Sequence, residues 1–222
     1  MQQALPDITR TRSLITDYDV YLFRQGSHSR LYDRLGSHPA VIDDRRGTFF
    51  AVWAPNAVEV SVIGDFNGWK AGESPLSLRN DDSGIWEGFL PDIDQGTLYK
   101  YHIRSRYNNY SVEKGDPFAR FWEIPPKTAS IIWDIAYTWR DRAWMRGREE
   151  ENSPDAPISI YEVHAGSWRK VPEEENRSLS YREAADELAE YLVDAGFTHV
   201  EFLPIMEHPF YASWGYQTLG YF

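Results

Sequence analysis

Residues 47–69 read GTFFAVWAPNAVEVSVIGDFNGW, and this stretch decides the fold. Thr48-Phe49-Phe50-Ala51-Val52-Trp53 is a run of strand-favouring side chains that stops before Pro55-Asn56. Glu59-Val60-Ser61-Val62-Ile63 then alternates polar and apolar, so every second side chain falls on one face of a sheet. Asp65-Phe66-Asn67-Gly68 closes it with the residue types that tolerate a tight turn.

The same texture continues downstream. Gly84-Ile85-Trp86-Glu87-Gly88-Phe89-Leu90 and Leu98-Tyr99-Lys100-Tyr101-His102-Ile103 are two more strands, each announced by turn residues (80–84 and 94–96), and Asn108-Asn109 reads as a hairpin tip. Strands this short and this closely spaced predict an all-β sandwich of the immunoglobulin-like kind over residues 46–140. Trp53 and Trp86 lie within strand patterns and are expected in its core.

Upstream, residues 1–45 form a polar leader with one short helical candidate, DYDVYLFRQG, which places Tyr18, Leu22 and Phe23 on one face and ends at Gly26. Downstream, residues 141–157 are charged and proline-bearing and read as a linker. Residues 158–163 (ISIYEV) then form a strand. A helix is expected from Ser180 to Ala195: Ser180 and Glu183 fit a capping box, Ala185, Leu188, Leu192 and Ala195 recur at helical spacing, and Gly196 sits at the stop. His199-Val200-Glu201-Phe202-Leu203 is a second strand, closed by Pro204. Strand, helix, strand predicts a βαβ unit over 158–222, with parallel strands and a right-handed crossover. Such a unit leaves a sheet edge and an apolar face open, so the chain is expected to be a fragment of a longer one.

Composition narrows the function classes. The 34 acidic against 23 basic residues give a net charge of −11, which disfavours nucleic acid and anionic membrane surfaces as partners. There is no Cys, so disulfides and thiolate metal sites are excluded. The first twenty residues hold no apolar signal-peptide core and no segment reaches the length of an apolar membrane span, which makes a cytoplasmic protein the expectation. Aromatic residues reach 15%, with nine Trp, enough both for a β-rich core and for flat platforms facing a sugar.

Three stretches carry a family resemblance. GTFFAVWAPNAVEVSVIGDFNGW, with GIWEGFLP and TLYKYHIRS after it, resembles the family 48 carbohydrate-binding modules that precede the barrel in glycogen- and starch-active enzymes. IYEVHAGSW (160–168) and HVEFLPIMEHPFYASWGYQTLGYF (199–222) are similar to the first and second barrel strands of 1,4-α-glucan branching enzymes in the α-amylase superfamily, glycoside hydrolase family 13. The leader segment DYDVYLFRQGSHSRLYDRLGSHP looks like the end of a branching enzyme's N-terminal extension. WAP and FNGW are shared with isoamylases and trehalose-releasing relatives, whereas EVHAGSW with EHPFYASWGYQ points to branching enzymes.

The resemblance implies the start of a truncated (β/α)₈ barrel after the sandwich. It also implies the reaction of those enzymes, in which an α-1,4 bond is cleaved and the chain is passed to a 6-hydroxyl. This is a retaining double displacement carried out by a carboxylate nucleophile and a carboxylic acid. Those groups belong to later barrel strands, so no catalytic residue is expected here, and Glu162, Glu201 and Glu207 take none of those roles. The implied partners are α-glucan and the rest of the catalytic barrel; no cofactor and no metal is implied. Tyr216, within Trp214-Gly215-Tyr216-Gln217, matches the tyrosine that stacks on the sugar where the bond breaks, with Gln217 and Trp214 beside it. In the sandwich, Trp69, Lys100 and Tyr110 match the aromatic, lysine and aromatic positions with which related modules hold glucan. His164 and His208 are expected to be structural, satisfied by backbone groups. Two alternatives stay open: a stand-alone glucan-binding module, and a debranching or trehalose-releasing relative.

Overall fold

The computed structural model describes residues 13–221. The first twelve residues of the leader and Phe222 lie outside the described residues. The described chain divides into two compact units, one running to Ile135 and taking in Met206–Pro209 and the segment from Thr218 on, the other made of Ala136–Ile205 and Phe210–Gln217.

The first unit contains eight strands among its described residues: β1 (Gly36–Ile42), β2 (Arg45–Trp53), β3 (Ala57–Gly64), β4 (Ser77–Leu78), β5 (Ile85–Pro91), β6 (Leu98–Ser105), β7 (Ser111–Lys114) and β8 (Ser130–Ile131). They make two antiparallel sheets, one in the order β1-β2-β5-β4, the other β3-β6-β7 with β8 also paired to β6. Phe50, Val52, Trp86 and Leu90 from the first sheet share a core with Val60, Val62, Tyr99 and Tyr101 from the second. That is the expected sandwich. Its first strand, β1, falls inside the stretch read as leader, because Gly36–Ile42 pairs residue for residue with β2.

A helix, α1 (Asp17–Arg24), covers the outer face of the first sheet. Ile15, Val20 and Leu35 pack there with Phe49, Ala51, Ile85 and Phe89. This explains why Thr48 to Val52 are buried without alternation: Phe50 and Val52 face the sandwich core, while Phe49 and Ala51 face the helix layer. The helix itself turns differently from expectation. Val20 and Asp19 are its buried residues, and Tyr18 is exposed. Burial alone would raise the Asp19 carboxyl, but hydrogen bonds from the Thr16 hydroxyl and amide, His28 and Arg34 hold it well below the usual carboxylate range. Trp53, expected in the core, is 54% exposed. As the last residue of β2 it lies past the sheet's covered face, donating its indole N–H to the Ser83 carbonyl and meeting Phe23 edge-on. Trp86 is buried as expected.

One buried polar group organises the sandwich interior. Asp116 is fully buried and accepts hydrogen bonds from the hydroxyls of Tyr99 (2.7 Å) and Tyr101 (3.1 Å) and from the Phe118 amide (2.8 Å). Burial pushes its carboxyl up to about 6, against the opposing pull of these donors.

In the second unit, α2 (Arg142–Glu151) occupies most of the stretch read as a linker. Strand β9 (Ile160–Val163) and strand β12 (His199–Phe202) pair in parallel, Glu162 opposite Glu201. Between them lie the short helix α3 (Ala165–Trp168), a small hairpin of β10 (Lys170–Val171) with β11 (Arg177–Ser178), and α4 (Tyr181–Ala195). The α4 boundaries follow the sequence closely. Ser180 and Glu183 form the capping box, and Gly196 takes the left-handed conformation at φ +77°. Bidentate hydrogen bonding from Arg177, with the Ser180 contacts, holds the Glu183 carboxyl down at about 2. The buried helix positions are Ala184 and Leu188, one residue off the predicted Ala185, which is exposed together with Ala195.

Candidate functional site: two aromatic surfaces

In the second unit the aromatic residues collect where the parallel strands end. His164 directly follows β9, and the 203–217 loop directly follows β12. The Trp214 indole stacks on the His164 imidazole with centroids 5.0 Å apart and planes 27° from parallel. Tyr211 meets the same imidazole edge-on at 6.4 Å and donates its hydroxyl to the Gly166 carbonyl at 3.0 Å. The C-terminal ends of parallel strands are where loops of α/β proteins assemble ligand sites.

Local backbone chemistry shapes the loop. Trp214 and Gly215 both lie in the left-handed region, at φ +55° and +86°. A Cβ at Gly215 would overlap the Pro204 carbonyl oxygen, so the loop folds back on the end of β12 only because no side chain is there. The Tyr216 amide donates to the Ser213 carbonyl at 3.1 Å and its ring is 68% exposed; Gln217 is exposed beside it. The loop thus brings together Trp214, Tyr216 and Gln217, the three residues singled out there. His164 is not held by backbone groups as expected: its Nδ1 meets the Ser167 hydroxyl at 2.8 Å and its ring carries Trp214. His208 does bond a backbone carbonyl, that of Met206. Tyr211 escaped the sequence reading, and its only signal there is the aromatic density of HPFYASWGYQ.

In the sandwich, the turn after β3 builds a rigid seat for Trp69. Asn67 accepts from the Gly64 amide and donates to the Val62 carbonyl and the Ser74 hydroxyl, and Gly68 and Trp69 follow at φ +61° and +60°. The Trp69 amide returns to the Gly64 carbonyl at 2.9 Å, and its indole N–H donates to Asp65 at 2.7 Å. The ring is therefore fixed at both ends, half-buried and without free rotation. Lys100 lies at the same end of the β3–β6 pair, opposite Ile63, with its ammonium on the Thr128 hydroxyl at 2.9 Å. Tyr110 is elsewhere. Its carbonyl accepts from Ser105, five residues along β6 from Lys100, roughly 17 Å at strand spacing. It is 59% exposed. The turn that carries Trp69 and the residue Lys100 thus lie at one end of the β3–β6 pair, and Tyr110 lies at the hairpin beyond its other end.

Among the described residues, no group of three or more His, Asp or Glu side chains is placed to hold a metal ion, and no helix is long and apolar enough to cross a membrane.

Residues 34–119 match carbohydrate-binding module 48 (isoamylase N-terminal domain). The chain is 60% identical, over 95% of its length and 33% of the relative's, to the 1,4-alpha-glucan branching enzyme GlgB of Aquifex aeolicus. It is 47% identical to that of Gloeobacter violaceus over 100% of this chain and 30% of the relative. It thus spans about a third of the length of the curated relatives it matches. Among solved structures, a putative alpha amylase from Salmonella typhimurium superposes with a TM-score of 0.57 at 23% identity, covering 83% of this chain and 27% of that one. PulA-G680L from Klebsiella pneumoniae, in its maltotriose complex, follows at 0.53 and 22%, covering 78% and 20%. At those identities the two structures speak for the fold alone. The chain is thus similar to carbohydrate-binding module 48 over residues 34–119, and along nearly all of its length to the 1,4-alpha-glucan branching enzymes GlgB, of which it spans about one third.

Proposed function

We propose that this chain is the glucan-handling front part of a 1,4-α-glucan branching enzyme, an enzyme of glycogen synthesis working in the cytoplasm. The similarity to GlgB, 60% over 95% of the chain, carries the reading. In this reading residues 36–140 are the binding module, 141–157 the connection, and β9, α4 and β12 the first βαβ unit of a (β/α)₈ barrel. The parallel register of β9 with β12 supports that assignment.

Tyr216 is the residue we place against the sugar ring at the cleaved bond, with Trp214 shaping its loop and Gln217 positioned for sugar hydroxyls. An exposed, electron-rich ring at the C-terminal end of a parallel strand suits a sugar that gains positive charge in the transition state. Trp69 and Lys100 form a second glucan contact on the module, and Tyr110 lies outside it. The carboxylates of the double displacement come from strands not contained in these residues. Glu162 and Glu201 face each other in register but lie within the strands rather than beyond their C-terminal ends.

Affinity electrophoresis in glycogen-containing gels tests the reading. The chain is expected to be retarded, less so as Trp69→Ala and less so as Tyr216→Ala. Migration unaffected by glycogen would overturn the glucan reading.

A further inference from the structure

One backbone oxygen in the second unit gathers an unusual set of donors. The Gly166 carbonyl, within α3, accepts from the Lys170 ammonium at 2.8 Å, from the Ser178 hydroxyl at 2.8 Å and from the Tyr211 hydroxyl at 3.0 Å. A carbonyl oxygen offers two lone pairs, so this acceptor is fully used. The Lys170 ammonium also donates to the Ser178 hydroxyl at 2.7 Å, which closes a triangle of ammonium, hydroxyl and carbonyl. A charged donor makes the stronger bond, and each bond in such a chain polarises the next.

The donors come from two separate connections. Lys170 on β10 and Ser178 on β11 face each other in the hairpin that follows β9 and α3. Tyr211 opens the turn Tyr211–Ser213 in the loop that follows β12. One oxygen therefore joins the chain after β9 to the chain after β12. Gly166 makes room for that joint: a Cβ there would fall 2.9 Å from the Tyr211 hydroxyl oxygen and 3.2 Å from Cε1 of His164. Its φ is not positive, so the glycine serves close approach rather than a turn.

Tyr211 passes the constraint along its own loop. Its carbonyl accepts from the Trp214 amide at 3.0 Å, and the Ser213 carbonyl accepts from the Tyr216 amide at 3.1 Å. The Ser213 amide and hydroxyl both donate to the Phe210 carbonyl, at 3.0 and 2.7 Å. Residues 210–216 are thus a run of linked turns. They are held to the chain after β9 by the Tyr211 hydroxyl on Gly166 and by the Trp214 ring on His164.

We infer that Tyr211 and Lys170 are positioning residues for the loop that presents Tyr216, acting through the Gly166 carbonyl. Lys170 and Ser178 fix the oxygen, and the Tyr211 hydroxyl hangs the loop on it. The part that concerns glucan rests on the reading of Tyr216 given above, whereas the joint itself does not.

Three measurements on the 222-residue chain test this: the carbon-13 resonance of the Gly166 carbonyl, hydrogen exchange at the Trp214 and Tyr216 amides, and maltoheptaose binding. Tyr211→Phe removes the hydroxyl and keeps the ring beside His164. It is expected to move the Gly166 resonance upfield, to speed exchange at both amides severalfold and to weaken maltoheptaose severalfold. Lys170→Met should act in the same direction on all three, and Lys170→Arg, which still donates, should restore them. Losses in the Lys170→Met, Tyr211→Phe double variant should not multiply, because both changes release one joint. An unmoved Gly166 resonance in Tyr211→Phe overturns the joint. Weakened maltoheptaose with unchanged exchange in Tyr211→Phe also overturns the positioning role, since it puts the hydroxyl on the sugar. A shifted resonance and faster exchange, with maltoheptaose affinity untouched by Tyr216→Ala, uphold the joint and remove the glucan role of the loop.

Discussion

The Trp214 indole lies against the His164 imidazole at 5.0 Å and 27°, so the residue after β9 supports the loop after β12. Stacked pairs contribute about 0.5–1.5 kcal/mol beyond their burial. His164→Ala is therefore expected to speed hydrogen exchange at the Trp214 amide, which donates to Tyr211, roughly two- to tenfold. His164→Phe should restore protection. Equal exchange in all three proteins would mean the stack carries no energy.

Gly215 makes a stronger demand on the same loop. At φ +86°, and with the Pro204 carbonyl where a Cβ would be, Gly215→Ala forces the loop off the end of β12. A non-glycine residue there costs about 1–2 kcal/mol from conformation alone. Loss of the Tyr216 contribution to glycogen retardation, with unchanged thermal stability of the sandwich, is the expected result.

On the module, Trp69 and Tyr110 should part company. Trp69→Ala is expected to weaken retardation by glycogen severalfold, and Asp65→Ala, which frees the indole N–H, to weaken it less. Tyr110→Ala should leave it unchanged, because Tyr110 is at the other end of β6. Parallel losses in Trp69→Ala and Tyr110→Ala would require one continuous surface and contradict this grouping.

Asp116 gives the sandwich a pH dependence of unusual sign. Its carboxyl is raised from 3.8 to about 6 by burial, so the folded state binds this proton more tightly than the unfolded state. Its stabilising contribution is fully present below the unfolded value and is lost as pH rises towards 6, by about 3 kcal/mol for a shift of roughly two units. Asp19 works oppositely: its lowered carboxyl stabilises the fold above its unfolded value of 3.8, and that contribution disappears as pH falls through the acid range. Urea midpoints at pH 4, 5 and 7 should show the decline in the wild type and lose it in Asp116→Asn. A decline of equal size in that variant would assign it to another group.

Branch formation measured by iodine staining is expected to stay at background for these residues alone, because the carboxylates of the reaction are assigned to strands outside them. Clear branching activity would sink that assignment.

Much of this was legible in short windows. Period-two alternation marks β3, turn clusters bound β5 and β6, and Ser180 with Glu183 and Gly196 mark the ends of α4. Those signals act within a few residues, so sequence carries them alone. Partnership across the chain is decided by packing. The leader holds a strand, β1, because β2 offers it an edge. Trp53 is exposed because it stands beyond the layer that covers Phe49 and Ala51. Asp116 is buried because two tyrosine hydroxyls from β6 meet it there. Motif and spacing placed Trp69, Lys100, Trp214, Tyr216 and Gln217 on the page as residues. Tertiary structure separated Tyr110 from Lys100 and set His164 under Trp214, 50 residues away in sequence. No local pattern encodes such a pairing, since its energy appears only once both segments have folded and the space between them has closed.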